Sequence, residues 1–285
     1  MNYTSDQAEI VSHYNQVTSF YKRFWNREKN FALHFGLFDS QHKTRKQAIL
    51  NSNETLAKIA GIKDGDKIVD AGCGVGASSI WLVKHFNVHV TGINIVPLHI
   101  QIANKAAEQE KLNDRVQFIE ADYTKIPLAD GSGDVFWAQD SSCHARDKEA
   151  LIKEAYRLLK PGGRLIISDG FLAIPRDQVT DEDKIKLHKF EIGYGYLNIY
   201  PYQEMMQLME GQGFFNVKFL DKTSEARPNF VLLQWACKLL YPLFVVLAKI
   251  HIVPKALPPM LVCGYLHEEG VARGFAKYGI LYGEK

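Results

Sequence analysis

Val69-Asp70-Ala71-Gly72-Cys73-Gly74-Val75-Gly76 follows the short strand-like run Lys67-Ile68-Val69 and leads into an amphipathic run from Ser79 to Phe86. An acid and three glycines at alternating positions therefore sit on a strand-to-helix turn. Glycine permits positive φ and lets a ligand come close to the backbone. The helix that follows presents free N–H groups and the positive end of its dipole. A dinucleotide-binding turn would read Gly-x-Gly-x-x-Gly, with its acid about 20 residues further on. Here the order is Asp-x-Gly-x-Gly-x-Gly, the acid ahead of the glycines. A tight turn in another kind of α/β protein is the competing reading.

Downstream, strand-like runs alternate with helical patterns, as in βαβ units. Residues 88–94 read as a second strand, 116–121 as a third that ends at Asp122-Tyr123, and 134–139 as a fourth. Leu158-Leu-Lys-Pro-Gly-Gly163 reads as a helix stop, followed by a fifth strand at 164–168. With all five strand ends pointing one way, ligands should gather at their C-terminal edge, where the strand order reverses.

The turn resembles the first motif of class I S-adenosylmethionine-dependent methyltransferases. The resemblance implies that the glycines pack under the carboxypropyl part of S-adenosyl-L-methionine and that Asp70 meets its amino-acid end, usually through water. Gly72, Cys73 and Gly74 then belong to the cofactor site. Asn94 and Ile95 close the second strand, where many nucleotide sites carry Asp or Glu for the ribose; an amide donates and accepts there without charge. His99 is either a second polar contact near the ribose or an exposed helix residue. Asp122 suits the adenine amine, since a carboxylate only accepts. Tyr123 can lie against the ring, and Gln139 falls where the backbone usually meets the methionine part.

The segment Trp137-Ala-Gln-Asp-Ser-Ser-Cys-His-Ala145 resembles the active-site segment of sterol C-methyltransferases, with an acid ahead of Cys-His-Ala. Tyr14-Asn-Gln-Val-Thr-Ser-Phe-Tyr21, Trp25 and Leu33-His34-Phe35-Gly36 resemble the opening of that family and of the tocopherol C-methyltransferases. Gly264-Tyr265 and Lys277-Tyr278-Gly279-Ile280-Leu281 resemble the end of the tocopherol enzymes, so the resemblance covers nearly the whole chain. It implies a Rossmann-like α/β fold: a seven-stranded, mostly parallel sheet with helices on both faces, plus an α-helical cap. The expected division is an N-terminal helical cap at 1–60, the cofactor-binding core at 61–223, an apolar cap insertion at 224–274 and the last strand at 275–285.

A sulfonium donor is already activated, so the protein mainly aligns the reactants and excludes water. Where the acceptor carries a proton, the candidate bases are Asp140, His144 and Asp169. The competing role for His144 is to cap the helix that begins near Asp147. Aromatic faces attract cations, and Tyr14, Tyr21, Trp25, Tyr194 and Tyr196 are the expected pocket or lid residues. No His/Asp cluster has metal-ligand spacing.

Composition fits one enzyme domain. The net charge is +2, from 34 basic and 32 acidic residues, which leaves no basic footprint for nucleic acid. Cys73, Cys143, Cys237 and Cys263 have neither zinc nor disulfide-framework spacing, and the start of the chain lacks the segments of a signal peptide, so a cytoplasmic setting is expected. Residues 230–253 are apolar and long enough to span a bilayer. Gln234, Lys238 and Lys249 interrupt them, and Pro242 is expected to break them into two cap helices between strands six (214–220) and seven (277–282). Three readings remain for this segment: core packing, an apolar wall that admits a lipophilic substrate and touches membrane, and a transmembrane helix.

The expected activity is methyl transfer to a lipophilic small molecule, isoprenoid, sterol-like or prenylated aromatic, at carbon. The alternatives are an O- or N-methyltransferase of a polar metabolite and a non-catalytic scaffold, which would be expected to lose Asp70 or the glycines. A nicotinamide dehydrogenase is disfavoured by the glycine spacing and by Asn94.

Overall fold

Parallel strands covered on both faces must be apolar on both faces, and the central strands here meet that demand. The computed structural model describes residues 4–20, 32–195 and 198–285. Strands β1 (Lys67–Ala71), β2 (His89–Asn94), β3 (Val116–Glu120), β4 (Gly133–Gln139), β5 (Leu159–Leu172), β6 (Phe215–Asp221) and β7 (Ala276–Glu284) form one sheet. Its order is β3-β2-β1-β4-β5-β7-β6. The pairs among β1 to β5 are parallel, and β7 runs antiparallel between β5 and β6. This is the expected seven-stranded, mostly parallel architecture.

Along β4, Val135 and Trp137 point to one face, Phe136 and Ala138 to the other, and all are fully buried. The first face packs under α2 (Arg45–Ala60), α3 (Ala77–His85) and α4 (Pro97–Gln109). The second packs under α5 (Lys148–Leu158) and α7 (Tyr202–Gln212). The remaining helices are α1 (Ser5–Phe20), α6 (Asp181–Tyr194), α8 (Thr223–Lys249) and α9 (Leu257–Ala272); α8 and α9 form a hairpin between β6 and β7.

Two sequence expectations need correction. The helix does stop at Leu158, but the strand begins at once, and Lys160 to Gly163 loop out between the pairs Gly133–Leu159 and Val135–Arg164. Pro242 does not break the apolar segment: α8 runs through both Pro228 and Pro242 to Lys249. Pro242 lies on the exposed side of the helix, where water can satisfy the carbonyl its missing N–H leaves unpaired.

Trp137 anchors the centre of the sheet. Trp137→Ala should lower unfolding free energy by about 3–5 kcal/mol, as large-to-small core changes do, measured by urea denaturation against the parent chain.

Candidate active site

The strand order reverses between β1 and β4, and a cavity of about 240 Å³ opens there at the C-terminal edge. Asp70, Gly72, Cys73 and Gly74 line it from the β1 turn, Asn94 and Ile95 from β2, His99 from α4, Asp122 and Tyr123 from β3, and Gln139 from β4. Every residue that the sequence assigned to the cofactor thus faces one space. Tyr14, Asp140 and His144 line it too.

The glycines answer first to the protein. A Cβ on Gly72 would lie 2.4 Å from the Cβ of Ser141, and one on Gly76 would lie 2.6 Å from Cζ of Phe118. Both residues have positive φ, which glycine alone adopts without cost. A Cβ on Gly74 would meet little besides Leu33, at 3.5 Å, so its positive φ of 53° is the stronger demand.

Asp70 is buried beneath this turn and accepts a hydrogen bond from the Ser79 hydroxyl, 2.5 Å away, at the start of α3. Burial pushes its pKa up to about 7, against the lowering effect of the Ser79 bond. Asn94 spends its carbonyl oxygen on the N–H of Val96, 2.8 Å away, leaving its amide donors for the cavity. The Oδ1 of Asp122 accepts from the N–H and hydroxyl of Thr124, and its Oδ2 accepts from the Gln7 amide at 2.6 Å. Tyr123 donates its hydroxyl proton to the carbonyl of Ser141. The Oε1 of Gln139 accepts from Ser78, while its buried Nε2 has no protein partner.

Helix α1 lies across the cavity mouth, with Gln7, Ile10 and Tyr14 in its lining. His99 is buried rather than exposed, and its Nε2 meets the Thr18 hydroxyl at 3.0 Å. The Tyr14 hydroxyl lies 2.9 Å from Nε2 of His144, and Nδ1 of His144 lies 3.0 Å from the carbonyl of Gly195. A carbonyl only accepts, so Nδ1 carries the proton and Nε2 accepts from Tyr14. Burial pushes the His144 pKa down to about 4, which keeps the ring neutral. His144 does not cap α5; Asp147 does, through the N–H of Ala150.

A second, smaller cavity of about 60 Å³ meets the first at Asp140. Its floor holds Asp140 and Asp169; its walls include Phe35, Leu187, Phe190, Phe230, Leu266, His267 and Tyr278. Asp140 has a φ of 49° and accepts from the N–H of Phe35 at 2.7 Å and from the Tyr278 hydroxyl at 2.9 Å. Burial, and then the charge of nearby Asp169, raise its pKa well above the usual carboxylate range. Asp169 is saturated: it accepts from the Ser142 hydroxyl and from the N–H groups of Cys143 and Gly170. Asp140 and His144, four residues apart, would share a face only in a helical segment. Instead a 3₁₀ turn at Ser142–His144 sends His144 to Tyr14, while Asp140 turns to Phe35 and Tyr278.

Sequence reasoning missed Tyr278, Phe35, His267 and Lys148, while Phe230 opens the apolar segment that it offered as a substrate wall. Lys148 is buried, donates to the carbonyls of Ser142 and Cys143 and so holds the 3₁₀ turn; burial lowers its pKa to about 8. Of the expected aromatic residues, Tyr21, Trp25, Tyr196 and the side chain of Tyr194 lie outside the described residues. Tyr202 stacks on Phe219 at 4.1 Å, and Tyr200 packs with the same core face, away from both cavities.

The family pattern described as "Methyltransferase domain" matches residues 69–167. The chain is 31% identical over 211 residues to the sterol 24-C-methyltransferase of Aspergillus fumigatus, covering 74% of this chain and 55% of that one. It thus spans about half the length of the sterol relatives it matches. It is 30% identical over 222 residues to the 27-O-demethylrifamycin SV methyltransferase of Amycolatopsis mediterranei, covering 78% of this chain and 79% of the relative. The chain belongs to the S-adenosylmethionine-dependent methyltransferases. A geranyl diphosphate methyltransferase solved with its diphosphate and sinefungin shares the methyltransferase fold, with a TM-score of 0.78 at 18% identity over 99% of both chains.

The first cavity fits the cofactor of this family of methyltransferases. It combines an approachable backbone at Gly74, a carboxylate at Asp122 and an unpartnered buried amide donor on Gln139. An ammonium group near Asp70 favours its ionised form, so S-adenosylmethionine should bind more tightly as the pH rises through about 7. Titration calorimetry across that range should show the slope, and Asp70→Asn should flatten it and weaken binding. The ligand-free fold should respond with the opposite sign. Its raised Asp70 pKa makes it lose stability as the pH climbs from the unfolded value of 3.8 to about 7.

Proposed function

We propose that this methyltransferase alkylates an unsaturated carbon of a lipophilic, isoprenoid-like acceptor whose reacting end enters the second cavity. The observation that carries the reading is the position of Asp140, a buried carboxyl shared by the cofactor cavity and an aromatic, apolar chamber. The cofactor supplies an electrophilic methyl group. When an alkene takes it, a carbon–carbon bond forms from the π electrons as the methyl–sulfur bond breaks with its electron pair kept by sulfur, and positive charge is left on the acceptor.

Phe35, Phe230 and Tyr278 pack edge-to-face around that chamber, with ring centroids 5.2 to 6.2 Å apart. Rings of this kind favour a cation that water cannot reach. In its ionised form, which a cofactor sulfonium bound beside it would favour against the effect of burial, Asp140 would offset the charge and take the proton whose loss restores the double bond. The N–H of Phe35 and the hydroxyl of Tyr278 hold its two oxygens in place. Asp169 positions the 3₁₀ turn, since its acceptor capacity is taken up by Ser142, Cys143 and Gly170. Asp70, Gly72, Gly74, Asn94, Asp122 and Gln139 are the proposed cofactor contacts, and Tyr14 and His144 cover the transferring methyl.

Transfer to oxygen is the second reading. It is favoured by the rifamycin relative, whose name specifies an oxygen, and by the neutral His144–Tyr14 pair beside the cofactor cavity.

The test is an assay with methyl-deuterated S-adenosylmethionine and a panel of prenyl, sterol and phenolic acceptors, with NMR to locate the label. The expected product carries it on carbon. Asp140→Asn should lower kcat by about 10²–10⁴ with cofactor affinity retained, and His144→Ala should cost less. Label on oxygen, with the larger loss in His144→Ala, would replace the first reading by the second.

A further inference from the structure

Helix α8 is apolar on two sides, and among the described residues only one of them has a partner. Ala226, Phe230, Cys237, Phe244 and Ala248 face inward and are buried. Leu232, Trp235, Leu239, Leu243, Val246 and Ile250 recur at helical spacing along the outer side and are exposed, Trp235 to 71% and Leu239 to 81%. Soluble surfaces rarely leave so long an apolar stripe uncovered.

The charge around the stripe selects its occupant. Between Glu225 and Glu268 the sequence carries Arg227, Lys238, Lys249 and Lys255 and no carboxylate. At the foot of α8, Lys249, His251 and Lys255 ring an open depression together with Lys189 of α6 and the rings of Tyr241 and Tyr265. Among the described residues these lysines make no ion pair. The nearest carboxylates of α9 are already spent, Glu268 on Arg227 and Glu269 on Lys186. A second copy of the chain on this face would set unpaired lysines against each other, which opposes association. An anionic bilayer surface answers both features, since it takes apolar side chains below its headgroups and lysines among them.

We infer that the outer face of α8 lies in the plane of an anionic phospholipid surface, with the lysines at its foot among the lipid phosphates. In-plane docking agrees with the inner side of the helix. Asn229 there bonds the carbonyl of Gly36, Arg227 pairs with Glu268, and both ends of the hairpin are fixed in the sheet by β6 and β7. A membrane-spanning α8 would have to give up those contacts. Docking also sets α8, whose Phe230 walls the second cavity, against the lipid. The inference stands whatever the acceptor proves to be.

The full-length protein should cosediment with phosphatidylcholine vesicles that contain phosphatidylglycerol, more weakly with phosphatidylcholine alone, and less as salt is raised. Leu239→Glu and the pair Lys249→Ala/Lys255→Ala should each weaken partitioning on the order of tenfold. Those side chains are exposed, so circular dichroism and cofactor affinity should stay unchanged. Equal recovery in the supernatant with and without anionic vesicles would overturn the inference. So would binding that survives Leu239→Glu, or a dimer in sedimentation velocity that the same change dissociates, which would give the face to a second copy.

Discussion

The hydrogen bonds to the Asp140 carboxylate tie together parts of the chain that are far apart in sequence. One comes from the backbone of Phe35, the other from Tyr278 at the start of the last strand. Asp140 itself ends β4 in a left-handed conformation, and its N–H bonds the carbonyl of Ser168 on β5. The N-terminal segment, the centre of the sheet and its antiparallel strand therefore converge on one buried acid. Burying a carboxyl is costly unless it is hydrogen-bonded. Here the cost is offset by donors that also shape the chamber, so the chemistry and the tertiary closure of the site share the same bonds.

The legible part of the protein was the part governed by local rules. The β1 turn announced itself through glycine and acid spacing, and the strands through apolar runs that end in polar residues. The strand-end residues from Asp70 to Gln139 were found because a parallel sheet delivers consecutive strand ends to one edge, so neighbours in the site are ordered along the sequence. The second cavity follows no such order. Tyr278 reaches Asp140 because β7 enters the sheet antiparallel, which brings its first residues to the C-terminal edge of β5, beside Gly170. Phe230 and His267 come from the two arms of an inserted hairpin and stack on each other at 5.2 Å. No spacing in the chain encodes that meeting. Pro242 was misjudged for a physical reason as well: a proline is costly in a helix when the freed carbonyl is buried, and this one faces outward.

The titratable groups of the site sit in a medium that disfavours charge. Burial moves Asp70, Asp140 and Asp169 upward and His34, His144 and His267 downward. The protein thus brings little fixed charge to a reaction whose donor is itself a cation. Asp140 and Asp169 are the exceptions held in reserve, two carboxyls that oppose each other's ionisation. A positive charge placed between the cavities would favour the ionised form of either carboxyl, which is the link that the proposed transfer would use.

Helix α1 is fastened over the cofactor cavity at three points: Gln7 on Asp122, Tyr14 on His144 and Thr18 on His99. The first of these occupies an oxygen of Asp122, one of the proposed cofactor contacts. On that proposal a nucleoside entering or leaving trades places with a side chain of its own cover, and the neighbouring clasps loosen with it. Exchange of spent for fresh donor becomes a motion of a whole helix rather than a diffusion through an open door. The undoing of those bonds is then a step of each exchange, alongside the methyl transfer itself.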